Sequence, residues 1–351
     1  MPMGFGPIYR TYLKYSRDYV LTITDQSNME REIIISGLRI TFSVERSMES
    51  YPDRMTVNIY NLSKDTRKII ESSIFEQIRS PIDSIPSDYD IKFAAGYDGD
   101  FGILFSGNIT TVTTRKIGPD IITTIEAADG FRLLTELALN LSYGPGTSAG
   151  QILADVIGIA QMTTPLILGF DANRKNLNGL VLSGGFKEAI DKIVTPQNLV
   201  WVIQNGRLLV LPDVPNAFFT LSGSSADESF RTLAVSRQSG LIGTPYRTIF
   251  TRTQKMPPNA APAMGVEASL NISDAVQVAA PTPFAGVIDT GLSVNGIIFT
   301  SLLERDLLPG YAVFLDTYPD ESNVDGYYKI EKVRHHGDTH GNPWYTEVVT
   351  L

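Results

Sequence analysis

The chain of 351 residues has no cysteine. Disulfide staples, thiolate metal ligands and a cysteine nucleophile are therefore excluded. Histidine is nearly as scarce: His335, His336 and His340 are all there are. Charged residues make up only 19%, with no run of lysine and arginine, and the net charge is −9. That balance argues against sequence-independent nucleic-acid binding, which needs cations to neutralise phosphates. No stretch reaches the roughly 18 consecutive apolar residues of a membrane helix. The opening MPMGFGPIYRTYLKYSRDY has no apolar core of signal-peptide length, which points to synthesis and assembly in the cytosol.

What is present describes a packed, strand-rich chain. The hydrophobic fraction is 43%, and 15 tyrosines and 16 phenylalanines favour pleated structure. The length suits two or three domains. Residues 1–17 are rich in Gly, Pro and Tyr and read as an N-terminal arm that orders against a neighbour. Strands then follow in quick succession at Tyr19–Thr24, Glu32–Ser36, Arg39–Glu45 and Met55–Tyr60. In the third, Ile40, Phe42 and Val44 face one way and Thr41, Ser43 and Glu45 the other, the pattern of an antiparallel strand with one wet face. After Tyr60, Asn61-Leu62-Ser63 breaks the alternation. Ser63 is placed to cap a short helix carrying Ile69 and Ile70. Ile74 to Ser87 reads as a loop, and strands resume at Tyr89–Ala94, Ile103–Thr114 and Ile121–Ala127. Short strands with Gly and Pro punctuation predict a sandwich or barrel over 18–130.

The middle differs. Helices are predicted at Gly130–Leu141, capped by Asp129, at Ala149–Gln161 and at Lys187–Val194. Leu199–Gln204 and Arg207–Leu211 flank Asn205-Gly206, a strong hairpin signal because both turn positions need positive φ. Residues 131–220 therefore read as a small α+β domain. From 221 to 351 strands return, at Tyr246–Thr253, Leu292–Thr300, Ala312–Thr317, Tyr327–Arg334 and Trp344–Leu351. A long Pro/Ala-rich loop at 254–265 and a break at Ala279–Pro283 interrupt them. The predicted class is mainly β with a smaller α+β part. The outer β regions also share a pattern. Each has an acidic turn, then Ile-x-x-Val (Ile109 and Val112; Ile330 and Val333), then a Gly/Pro turn. Each ends on a Thr/Glu strand (Thr124-Ile125-Glu126; Thr346-Glu347-Val348). This suggests an internal duplication.

Candidate sites are few. Gly146-Thr147-Ser148-Ala149-Gly150 matches G-x-S-x-G, with Asp and His downstream in hydrolase order. The required buried strand before the serine is missing, since Ser142-Tyr143-Gly144-Pro145 reads as a turn. A capping box of Ser148 with Gln151 is the better account. Gly144 to Gly150 also lacks the spacing and the lysine of a phosphate loop. His335, His336 and His340 with Asp338 are ligand types for a transition metal, but adjacent histidines on a strand face opposite ways. Asp316, Asp320, Glu321 and Asp325 fail the calcium-loop spacing and read as a solvated acidic loop. Trp201 and Trp344 fall in apolar strand patterns and read as packing residues. No catalytic residue, cofactor site or metal site is assigned, and the chain reads as a non-enzyme.

Several phrases in order carry a resemblance. They are Thr56–Ile70 (TVNIYNLSKDTRKII), Ala95-Gly96-Tyr97, Phe105-Ser106-Gly107-Asn108-Ile109 and Thr124–Gly130 (TIEAADG). Near the C-terminus come Gly326–Ile330, Gly337-Asp338-Thr339 and Trp344–Glu347. Together they resemble the baseplate hub proteins of bacteriophage contractile tails. The resemblance implies two domains similar to the tail-tube protein, at 18–130 and 221–351, flanking the small α+β domain. It implies a homotrimer whose six similar domains form a ring. That ring joins a sixfold tail tube, or tube-initiator ring, to a threefold central spike protein. Contact with the tape-measure protein and other baseplate proteins is implied too, as is genomic DNA passing through the ring without specific binding. The location implied is the virion tail baseplate, assembled in the bacterial host cytoplasm. Two other readings remain at this point: a β-rich tail fibre or adhesin module, and a serine hydrolase using Ser148.

Overall fold

The computed structural model describes residues 8–9, 15–25, 32–49, 51–70, 89–98, 100–176, 178–213, 232–255, 289–317 and 324–351. Two compact units divide the chain. One comprises Met1–Arg247 with Gly296–Leu351, and the other is Thr248–Asn295. The described residues of the second, 248–255 and 289–295, are extended.

In the larger unit the N-terminal strands are β1 (Ile8–Tyr9), β2 (Arg17–Asp25), β3 (Glu32–Ile35), β4 (Ile40–Ser47) and β5 (Arg54–Tyr60). A helix, α1, occupies residues 64–70. Ser63 Oγ caps it by accepting the Thr66 amide at 3.1 Å. There follow β6 (Tyr89–Tyr97), β7 (Asp100–Ile117) and β8 (Asp120–Ala128). Strict alternation builds the core: Leu21, Ile23, Ile40, Val44, Val57, Ile59, Ile91, Phe93 and Ile125 are all fully buried on one face. Trp344 from the far end of the chain joins the same cluster. The loop read at Ile74–Ser87 lies outside the described residues.

The middle region holds α2 (Phe131–Thr135), β9 (Ala138–Tyr143), α3 (Ala149–Ile159), β10 (Thr163–Ile167), β11 (Leu180–Gly185) and α4 (Phe186–Val194). A 3-10 turn at Thr195–Gln197 leads into β12 (Leu199–Gln204) and β13 (Arg207–Pro212). The two strands pair across Asn205 (φ 51°) and Gly206 (φ 73°), the left-handed pair that the hairpin needs. The helix expected over Gly130–Leu141 is shorter. It stops at Thr135, and Ala138–Tyr143 pairs antiparallel with β11. The reason is a degenerate pattern: Leu133, Leu137 and Leu141 fit a helical period, while Leu139, Leu141 and Tyr143 fit a strand. Pairing with β11 and burial of Leu139 select the strand.

The C-terminal strands are β14 (Leu233–Ser236), β15 (Leu241–Lys255), β16 (Asp289–Leu302), β17 (Ala312–Asp316), β18 (Gly326–Asp338) and β19 (Trp344–Thr350). Fourteen strands form one sheet, in the order β1-β14-β17-β18-β4-β5-β8-β7-β6-β2-β3, with β15, β16 and β19 branching from it. Strand β18 is the junction. Its first half pairs with β17, and its second half pairs with β19 on one edge and β4 on the other. Hydrogen bonding therefore runs unbroken from one outer β region to the other. The expected Pro/Ala loop lies almost entirely outside the described residues, and 254–255 end β15.

The suspected duplication has a structural counterpart. β6-β7-β8 and β17-β18-β19 are both antiparallel meanders about a long central strand. Each central strand has a register shift at the same place, directly after the isoleucine of Ile-x-x-Val: Ile109/Thr111 in β7 and Ile330/Lys332 in β18. Val112 then faces Ile125, and Val333 faces Val348. Two positions on, Thr114 Oγ1 meets Thr123 Oγ1 at 3.2 Å, while His335 Nδ1 meets Thr346 Oγ1 at 2.9 Å. The equivalent of Thr346 is thus Thr123, one residue earlier than the sequence phrases suggest. A β-bulge bends and twists its strand.

Candidate functional site

The surface that the fold offers is the wet face of this sheet. Cross-strand register places Tyr345, His336, Ser43, Thr56, Glu126 and Thr111 in one row across six strands. A second row is Asp338, Thr41, Asn58, Thr124 and Thr113. The side chains are short and polar, and many bond to each other. Asn58 Nδ2 donates to Thr41 Oγ1 at 3.0 Å, and Thr124 Oγ1 donates to Asn58 Oδ1 at 2.7 Å. Several charges on this face are paired. Glu45 takes Lys332 Nζ in close contact and Arg334 Nη2 at 3.1 Å. Hydrogen bonding from Lys332, above all, holds the Glu45 carboxyl below its ordinary range. Glu347 faces Arg334 at 4.0 Å and His336 at 3.7 Å. Such exposed pairs contribute little stability. Their effect is to leave Lys332 and Arg334 engaged with Glu45 and Glu347.

Behind the opposite face lies a buried charged node. Arg46 and Asp53 are each about 1% exposed at the side chain, with Arg46 Nε 3.9 Å from Asp53 Oδ2. Arg46 Nη2 also donates to the Leu104 carbonyl and to Asn205 Oδ1, the latter at 2.8 Å. Asp129 does not cap α2 as expected. Its Oδ1 accepts the Gly206 amide at 3.1 Å and its Oδ2 the Asn205 amide. Gly130, left-handed at φ 65°, begins α2 instead. A Cβ there would sit 2.8 Å from Ile203 Cδ1. The node thus clamps the β12–β13 turn onto the large sheet. Burial lifts Asp129 to about 6, against the pull of Arg46 and the amides, and it raises Asp53 well above the carboxylate range. Sequence reading missed these residues. The available signal was Arg46 itself, a charge on the inward phase of Ile40, Phe42, Val44 and Met48.

The residues weighed from sequence do not converge. Ser148 caps α3, its Oγ accepting the Gln151 amide at 3.3 Å. His335 points inward, where burial first, then Arg46, lowers it to about 3. His336 lies on the wet face, opposite Ser43. His340 is exposed in the following turn, where Asp338 Oδ1 accepts its amide at 2.8 Å and Asp338 Oδ2 meets Arg39 at 3.3 Å. Among the described residues no three His, Asp or Glu side chains are grouped to hold a metal ion. Asp325 Oδ1 accepts from the Thr317 amide at 2.8 Å, while Asp320 and Glu321 lie outside the described residues. Trp201 Nε1 donates to Asp191 at 2.7 Å, and Trp344 packs edge-on to Phe42 at 5.3 Å.

No protein-family model matches the sequence, and no curated protein matches it. Solved structures do. The fold is that of phage tail proteins. The 43 kDa tail protein of prophage MuSo2 from Shewanella oneidensis superposes with a TM-score of 0.55 at 12% identity, covering 96% of this chain and 98% of that one. The tail protein from Neisseria meningitidis MC58 gives 0.52 at 12% identity, covering 95% and 96%. A type VI secretion component of E. coli, described as structurally similar to two tail proteins of bacteriophage T4, gives 0.50 at 9% identity, covering 94% and 76%. Identities this low show a shared fold. That fold class is the one to which the sequence phrases pointed.

Proposed function

We propose that this chain is a structural component of a phage tail baseplate, a homotrimeric hub that joins the sixfold tube to the threefold central spike. The observation that carries the reading is the matched pair of bulged meanders in one continuous sheet, inside a fold shared end to end with tail proteins. Two similar elements per chain let three chains present six similar elements, which is what a three-to-six adaptor requires. Main-chain pairing between sheet edges would join the copies, with β3, an edge strand among the described residues, as one place for it. The wet face, rich in Thr and Ser with paired charges, suits the wall of a channel through which DNA slides without sticking. The hub is read as non-enzymatic, with Ser148 serving as a helix cap. Partners of the ring are the spike on one side and the tube or tube-initiator ring on the other, with the tape-measure protein in reach. Light scattering on the purified chain, alone and with the spike protein of the same phage, tests this. Three copies per particle are expected. A chain that stays monomeric in both samples overturns the proposal.

A further inference from the structure

Three Asn-Gly pairs occur in the chain, at Asn178, Asn205 and Asn295. The dipeptide is chemically labile, because no glycine side chain shields the amide nitrogen that can attack the asparagine Cγ. Asn178 and Asn205 both sit in turns and both are exposed, yet they are held differently. The Gly179 amide donates to the Asn176 carbonyl at a long 3.4 Å. Asn205-Gly206 is tied down at each reacting group. Asp129 Oδ1 accepts the Gly206 amide at 3.1 Å, and its Oδ2 accepts the Asn205 amide. Arg46 Nη2 donates to Asn205 Oδ1 at 2.8 Å. The nucleophilic nitrogen and the electrophilic side chain are thus each held by a different member of the buried node.

We propose that Asn205 is a modification site gated by this clamp: it loses its side-chain amide when the β12–β13 turn lifts from Asp129 and Arg46, and the product does not dock again. The Gly206 nitrogen gives its proton to solvent hydroxide, bonds to Asn205 Cγ and expels Nδ2 as ammonia, which closes a succinimide ring. Water then opens the ring at either carbonyl and leaves aspartate or isoaspartate, so water is the one co-reactant. Aspartate would set a further carboxylate beside Asp129, and like charges this close oppose each other. Isoaspartate would add a carbon to the main chain of a turn whose fit depends on its left-handed pair, at φ 51° and 73°. Either product keeps the turn off the sheet, which makes the clamp a one-way latch. The site is independent of the hub assignment, because the test reads residues 205 and 206 within one chain.

The full chain and Asp129→Ala are incubated at about pH 8, digested, and read by mass spectrometry for the gain of about 1 Da at residue 205, with Asn178 of the same chain as reference. A reaction that needs an opened state tracks the population of that state. Asn205 of the parent should therefore react at least about tenfold more slowly than Asn178, and Asp129→Ala should speed Asn205 about tenfold while leaving Asn178 unchanged. Urea below the unfolding midpoint should speed Asn205 of the parent as well, which keeps the test decisive if the variant folds poorly. Asn205→Asp should exchange the amides of residues 205 and 206 at least about tenfold faster than the parent. Equal rates at Asn205 and Asn178 in the folded parent overturn the gate, as does an Asn205 rate that neither Asp129→Ala nor urea raises. A slower reaction in Asp129→Ala would show that the node promotes the chemistry, and also overturns it. Unchanged exchange in Asn205→Asp overturns the latch.

Discussion

Replacing Asp129 by alanine removes the acceptor of two part-buried backbone amides, those of Asn205 and Gly206. An orphaned buried donor costs about 1–3 kcal/mol, and water reaches these two in part, so together they give about 2 kcal/mol. Arg46 keeps Asp53 as a counter-charge, which limits the electrostatic loss. With a urea dependence of about 3 kcal/mol/M, the midpoint should fall by about 0.7 M. The two tryptophans make the assay local. Trp201 lies in the core of the middle region and Trp344 in the core of the N-terminal sheet. Fluorescence of Trp344→Phe and Trp201→Phe versions reports each in turn. If the node is the clamp described, Asp129→Ala separates the two transitions, with the Trp201 signal lost first. A shift below about 0.3 M with coincident transitions would refute the reasoning.

Other predictions rest on the same geometry. His335 is held near 3 in the fold and returns to about 6.5 when unfolded. Its folded pKa is depressed, so the stability it supports above pH 6.5 is lost as pH falls, by about 3 kcal/mol at pH 4.5. Asp129 acts oppositely. Raised to about 6 from 3.8, it contributes stability that is full below pH 3.8 and lost as pH rises through 6, a gain of about 2 kcal/mol on the same acidification. Measured against the parent between pH 6.5 and 4.5, His335→Gln should gain stability on acidification and Asp129→Asn should lose it, the raised Asp53 adding the same gain to all three chains; parallel curves for all three would contradict both assignments. At Gly337, a Cβ would fall within the Phe42 ring and 2.8 Å from Trp344 Cε3. Gly337→Ala should lower stability by about 2–3 kcal/mol in thermal or urea unfolding, and a neutral result would show that the rings can move. Ser148→Ala should cost about 1 kcal/mol as a lost helix cap, and neither form should react with a fluorophosphonate probe; labelling of the parent alone would reopen the hydrolase reading.

Much of the fold was legible because alternation is a strong signal where one sheet face is buried. Ile40–Val44, Met55–Ile59 and Ile121–Ala127 announce their strands and their inward residues. Asn205-Gly206 announces its hairpin, and Ser63 and Ser148 announce their helix starts. Legibility failed where two periods overlap, as in Leu133–Tyr143, and where strands are short, as in β10, β11 and β14. It failed again where long-range pairing decides. Nothing local to Arg46 or Asp129 says that they meet across the chain at Asn205. Nor does anything local to β18 say that its far half will pair with β4. The shared pattern of the two meanders was visible as a phrase, but its phase needed the bulges, which fix Thr123 rather than Thr124 as the counterpart of Thr346.

The central claim is that two similar β elements per chain build a six-part ring from three chains. End-on electron micrographs of the assembled particle test it most directly. The account predicts a closed ring with threefold symmetry, a pseudo-sixfold outline and an open centre. A particle without a central opening, or a ring of three lobes with no sixfold modulation, would contradict it.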